Sequence, residues 1–187
     1  LVEGKRRALR RLHAARRARP SPISGLDALL VTQVAFYDDT ARFTDKVNAL
    51  CDELDGRIAS GEGVSSPDAP RILVSGSPMA IPNWKLHRIL QDGGATVVGE
   101  ESCTGTRYFS YPAPEHDGSL DGQLEAIADR QLETHCACFT PNDERIEDII
   151  ALARDWAADG VVHYNLQFCH TFANEAAKVE RTLARET

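Results

Sequence analysis

Apolar and polar positions change rhythm near residue 70. From Thr40 to Ala59 the apolar side chains Phe43, Val47, Leu50, Leu54 and Ile58 recur every three or four residues, which predicts a helix with one buried stripe. An Ala/Leu/Arg-rich stretch before Pro20-Ser21-Pro22 predicts another helix. Breakers follow at Gly61-Glu62-Gly63 and Ser65-Ser66-Pro67. Beyond Pro70, short and nearly continuous apolar runs take over. Arg71–Gly76, Ala95–Gly99 and Val161–Gln167 read as strands covered on both faces. Helical patterns lie between and after them, from about Asn83 to Gln91, Leu120 to Leu132, after Thr140, and along Phe172, Ala176, Val179 and Leu183. Thr140 is a plausible N-cap with Pro141 at the first helical position. Residues 102–119 form a long loop rich in Gly and Pro.

Strands alternating with helices predict an α/β fold, a Rossmann-like parallel sheet with helices on both faces, preceded by helical segments. The expected division is a helical linker region over residues 1–69 and a Rossmann-like domain over residues 70–187. At 187 residues the chain can bury a core without staples, and 42% hydrophobic with 26% charged residues suits an ordinary globular protein. No apolar run approaches the length of a membrane span, and no signal peptide opens the chain.

Charge divides the chain unevenly. Residues 1–20 carry eight Lys/Arg against Glu3, a net of +7, whereas the remainder carries 13 basic and 27 acidic residues, a net of −14. The acidic body argues against a nucleic-acid surface. The basic stretch lacks interleaved aromatics and is expected to be a solvated helix or linker.

Five cysteines match no disulfide framework, so a reducing, cytoplasmic setting is expected, where clustered cysteines serve metals or catalysis. In a parallel sheet the loops after the strands share one edge, where ligands bind. Cys103 and Cys169 each follow a predicted strand end by two residues, and Ser77 stands in the corresponding place after the first strand. Cys136 and Cys138 form a Cys-x-Cys pair. Four thiolates favour zinc or iron–sulfur, though the spacings equally admit reduced thiols in loops and core. Cys51 lies on an apolar helical stripe and reads as a small core hydrophobe. Arg107, four residues past Cys103, is a candidate to offset an anionic cluster or bind an anionic substrate, with a surface ion pair as the alternative. His135 and His170 adjoin candidate ligands, Glu100 and Glu101 are candidate proton donors, and Trp84, Trp156 and Phe139 are expected to pack.

Four stretches also carry a resemblance. Residues 71–86 (Arg-Ile-Leu-Val-Ser-Gly-Ser-Pro-Met-Ala-Ile-Pro-Asn-Trp-Lys-Leu), 99–109 (Gly-Glu-Glu-Ser-Cys-Thr-Gly-Thr-Arg-Tyr-Phe), 136–142 (Cys-Ala-Cys-Phe-Thr-Pro-Asn) and 164–170 (Tyr-Asn-Leu-Gln-Phe-Cys-His) resemble the C-terminal domain of the 2-hydroxyacyl-CoA dehydratase D-component family. That family also contains benzoyl-CoA reductase subunits and double-cubane cluster proteins, and the Glu-Glu-Ser-Cys-Thr-Gly and Cys-Ala-Cys words look most like the double-cubane branch.

The resemblance implies an iron–sulfur dehydratase or reductase. Its cofactor would be an 8Fe-9S double cubane or a 4Fe-4S cluster, with Cys103, Cys136, Cys138 and Cys169 as ligands. Implied partners are an ATP-dependent iron–sulfur reductase acting as activator, an identical or homologous second subunit, and a small-molecule or acyl-CoA substrate, with neither nucleic acid nor membrane. Ser77 stands where related chains often have Cys and takes no ligand role. Family subunits are about twice this long, so the expectation is a chain lacking its N-terminal domain and inactive by itself. The rival readings are an α/β module holding structural zinc on the same thiols, or one with free thiols.

Overall fold

The structure, a computed structural model, describes residues 1–186. Three helices come first, α1 (Val2–Ala15), α2 (Gly25–Val34) and α3 (Thr40–Ser60). There follow β1 (Arg71–Gly76), α4 (Lys85–Asp92), β2 (Thr96–Glu101), α5 (Thr106–Phe109), α6 (Leu120–Leu132), α7 (Asp143–Asp155), β3 (Gly160–Tyr164) and α8 (His170–Glu186). The strands form a parallel sheet in the order β2-β1-β3. The expected α/β class, with helices on both faces of a parallel sheet, is observed.

Alternation along the strands explains the two covered faces. Leu73 and Val98 join Ile146 and Ile149 of α7 and Val179 of α8 in one core. Val74 and Val97 point the other way, onto Leu29 of α2 and the half-buried Leu86 and Leu90 of α4. Two glycines permit close approach. A Cβ on Gly99 would fall 1.9 Å from the Trp156 ring, and one on Gly25 would fall 2.5 Å from Val97 Cβ, so each marks a contact no side chain could share.

A third core lies among α1, α2 and α3. Leu9 and Leu12 of α1 meet Phe43, Val47, Cys51 and Leu54 of α3. Burying each such leucine contributes about 1.5–3 kcal/mol. The predicted α3 is present, capped by the Asp39 carboxylate on Arg42 N at 2.9 Å and closed by Gly61 at φ 73°.

Several expectations need correction. Helix α2 carries apolar residues around its whole circumference, so it has no amphipathic rhythm to read; Ser24 caps it by accepting from Asp27 N. The basic stretch is not simply solvated, because Arg16 is fully buried and Lys5 gives its Nζ to Ala35 O at 2.8 Å. The third strand ends at Tyr164, before a loop in which Phe168 has φ 68°. Helix α7 starts two residues after the expected Pro141, with Asn142 rather than Thr140 at the N-cap. The loop after β2 contains the single turn α5.

A register shift decides what the end of β2 can do. Ile72 pairs with Val97 but Leu73 pairs with Gly99, leaving Val98 as the extra residue of a bulge. Ser75 therefore stands opposite Glu101, not Glu100. Without that residue, the side chains beyond it would exchange faces.

Candidate functional site

The carboxyl edge of the sheet gathers four of the five cysteines. Cys103 follows β2 by two residues, Cys169 follows β3 by five, and Cys136 and Cys138 come from the loop between α6 and α7. All are free thiols. Cys51 is 1% exposed in the helical core, and burial pushes its thiol up to about 11. Its side chain has no part in this edge.

Arg107 draws two of the thiols together. Its Nη1 lies 3.4 Å from Cys136 Sγ and 3.7 Å from Cys103 Sγ. It is 4% exposed, so the expected alternative of a surface ion pair does not hold. Its Nη2 donates to Gly76 O at 2.6 Å, and its Nε lies 2.7 Å from Glu101 Oε1, close enough for an ion pair though poorly aligned for a hydrogen bond. Gly76 has φ 118°, and a Cβ there would collide with Tyr164 O, so the end of β1 requires glycine.

Cys103, Cys136 and Cys138 influence one another's ionisation. The neighbouring Cys103 thiol and Arg107 drive Cys136 well below an ordinary thiol, while Cys136 and burial drive Cys103 up. Cys136 also interacts with Cys138. Cys169 stands apart, where the neighbouring Ser77 lowers it and Thr171 Oγ1 lies 3.9 Å from its sulfur. Ser77 is thus a neighbour of a thiol. Among the described residues, no three His, Cys, Asp or Glu side chains converge into a ready single-metal site.

Behind Arg107 runs a buried ionic chain. Glu101 accepts from Ser75 Oγ at 2.7 Å and from Arg145 Nη2 at 3.0 Å, and Arg145 continues to Glu175 at 2.5 Å. Phe172 lies between the two arginines, its ring centroid 5.1 Å from Arg107 and 5.0 Å from Arg145. Burial raises the Glu101 carboxyl, opposed by both guanidinium groups. Sequence reading missed Arg145 and Glu175. The available signal was the pair of acids at a buried strand end, since such charges demand cationic partners.

Glu100 faces the other side of the sheet. Arg16 grips it at 2.6 and 2.8 Å, and His87 Nε2 stands 2.9 Å away. His135 Nδ1 lies 2.7 Å from Asp148 Oδ2, which also accepts from Tyr111 OH at 2.5 Å, so this nitrogen faces a carboxylate and not a sulfur. His170 is exposed at the start of α8. Trp84 and Trp156 pack against the sheet as expected, whereas Phe139 is 49% exposed.

Comparison with known proteins gives these residues a lineage. A sequence profile of the family described as 2-hydroxyglutaryl-CoA dehydratase, D-component, matches residues 1–187. The chain belongs to this family. It is 34% identical over 191 residues to an Escherichia coli (strain K12) protein named provisionally as dehydratase subunit YjiM, covering all of this chain and 47% of that protein. It is 24% identical over 139 residues to the (R)-phenyllactyl-CoA dehydratase beta subunit of Clostridium sporogenes, covering 74% of this chain and 34% of that subunit. The chain therefore spans less than half the length of either relative. No helix among the described residues of this D-component family member is long and apolar enough to cross a membrane.

Proposed function

We propose that this chain is the cluster-binding part, residues 70–187, of an iron–sulfur dehydratase or reductase, with Cys103, Cys136, Cys138 and Cys169 as thiolate ligands. The observation that carries this reading is the gathering of four free thiols at one sheet edge, with a buried guanidinium against two of them. The donor set fits the cofactor, because soft thiolates favour iron–sulfur and no hard oxygen donor is among them. Thiols spread along an edge also suit a cluster with several corners better than a single ion. An 8Fe-9S double cubane or a 4Fe-4S cluster is the cofactor class; when bound it supplies low-potential one-electron reduction.

The chain's own residues would prepare that site. Arg107 offsets thiolate charge, and Glu101 and Gly76 O fix its position. Ser77 lies beside Cys169 and favours its thiolate. The substrate class is a small unsaturated molecule or a 2-hydroxyacyl-CoA. Electrons would come from an ATP-dependent iron–sulfur activator, and a second subunit, identical or homologous, would complete the enzyme in the cytoplasm. The names of both relatives, each a subunit of a dehydratase, support this direction.

Iron, acid-labile sulfide and zinc are to be counted in the natural full-length protein isolated anaerobically, and in five single variants. Cys103→Ser, Cys136→Ser, Cys138→Ser and Cys169→Ser are expected to lower iron and sulfide together, and Cys51→Ala to leave both near normal. Zinc without sulfide, or normal iron in Cys169→Ser, would overturn the ligand assignment.

A further inference from the structure

Beside Cys103 and Cys136 opens a cleft of about 260 Å³, lined also by Arg6, Arg107, Tyr108 and Arg130. Three helices, α1, α5 and α6, each contribute an arginine to its lining, and no carboxylate lines it. Arg107 is already engaged with Glu101 and the two sulfurs. The other two cations need a separate explanation.

Arg130 is only 6% exposed. Its partners are two backbone carbonyls, Tyr108 O at 2.7 Å and Tyr111 O at 3.1 Å, and among the described residues no carboxylate pairs with it. Burial, and next the charge of Arg6, hold this guanidinium below its ordinary range. Arg6 stacks over the Tyr108 ring at 5.7 Å and keeps its Nε buried without a partner. Its acid neighbour Glu3 lies 3.5 Å away and is held more closely by Arg10, at 2.6 Å. Two half-satisfied cations in one recess are costly unless an anion comes between them.

We propose that this cleft binds a small oxyanion, the carboxylate or phosphate end of a ligand whose remainder lies along the thiol rim. Planar guanidinium forks match that geometry and bind it in a bidentate manner. The volume is below the roughly 300–1,000 Å³ of sites that enclose a whole drug-sized ligand, so the cleft takes an end group and not a nucleotide. Simple neutralisation of a cluster accounts for Arg107, which touches sulfur. It leaves Arg6 and Arg130 unexplained, because neither donates to a sulfur. The proposal concerns the cleft and does not require a cluster at the thiols.

The test is calorimetric titration of the natural full-length protein, isolated anaerobically, with succinate and separately with inorganic phosphate; iron is counted on the same samples. Saturable binding of at least one probe is expected, weakened about tenfold or more in Arg6→Gln and in Arg130→Gln. Arg17→Gln, which removes an exposed pair with Asp155, should bind normally. Succinate binding alone assigns a carboxylate, and phosphate binding alone a phosphate. If Arg130→Gln fails to fold, Arg6→Gln decides, since its guanidinium holds no backbone carbonyl. Absence of saturable binding, or unchanged affinity in Arg6→Gln, overturns the proposal. An iron-replete protein that binds neither probe sinks this inference alone. An iron-free protein that binds one through Arg6 supports it while the cluster reading fails.

Discussion

Glu100 and Glu101 are neighbours on β2, both 2% exposed and both held by arginine, yet their surroundings differ in kind. Arg16 spends its fork on Glu100, and His13, Thr32 and His87 close the surroundings. Burial alone would raise the Glu100 carboxyl, but Arg16 and then His87 hold it well below the usual range. Glu101 instead divides its oxygens between Arg107 and Arg145, each of which has a second task. Arg107 reaches sulfur and Arg145 reaches Glu175. One glutamate ties the helical region to the sheet, while its neighbour suspends a cation at the open edge. Adjacent and chemically identical residues thus serve stability on one face and the candidate site on the other, because a strand alternates its side chains.

The largest effect should come from breaking the closed side. Arg16→Met leaves a buried carboxylate without its main partner and is expected to cost about 3–5 kcal/mol, read by urea denaturation. Iron per folded chain should remain near normal. A loss under about 1 kcal/mol, the range of exposed pairs, would show that the two sides do not differ as described.

The closed side should also govern the response to acid. Burial, and then the charge of Arg16, depress His13 from 6.5 to about 3, so the folded chain keeps it neutral where the unfolded chain protonates it. Its contribution is complete above the unfolded value and is lost as pH falls from 6.5 toward 3. Glu100, also depressed, adds to the loss below its ordinary 4.5. The melting temperature is therefore expected to fall from pH 7 to pH 4.5, with His13→Gln giving a flatter profile above pH 5. Parallel profiles for the two proteins would remove His13 from the argument.

How much of this could be read in advance depended on whether the signal was local. The strands stood out because each is one apolar run, and the shared edge of Cys103 and Cys169 followed from their both lying in loops after strands, although Cys169 stands five residues past β3 and not the two expected. Arg16 was illegible. Within a run of arginines that are exposed or half-buried, nothing local separates the one that crosses 84 positions to reach Glu100. Helix α2 escaped because apolar residues on all sides leave no periodicity. The cleft joins Arg6 to Arg130 across the whole fold, a juxtaposition that only the packing of α1 beside α5 and α6 supplies.

On the open side, Arg107→Met should disturb chemistry more than folding. Glu101 keeps Arg145 and Ser75, so the expected cost is about 1–3 kcal/mol. In iron-loaded protein the midpoint potential should become more negative, because a nearby cation favours the reduced and more anionic cluster. Redox titration followed by electron paramagnetic resonance reads this directly. An unchanged potential would confine Arg107 to a packing role.

The smallest effect belongs to Cys51, the thiol buried in the helical core. It is 1% exposed among Ala8, Leu9, Val47 and Leu54, and its sulfur only grazes Ala8 O at 4.0 Å. Cys51→Ala removes one atom from a packed core, so the cost is the transfer of that atom plus a small cavity, on the order of 1 kcal/mol. Burial holds the thiol protonated at neutral pH, and its neighbours in the helical core are apolar side chains. Urea denaturation should register the loss, with the anaerobic iron content and the anion affinity of the cleft unmoved. If iron fell with Cys51→Ala, the helical core would be coupled to the thiol rim, and the separation between the two sides of β2 would have to be redrawn.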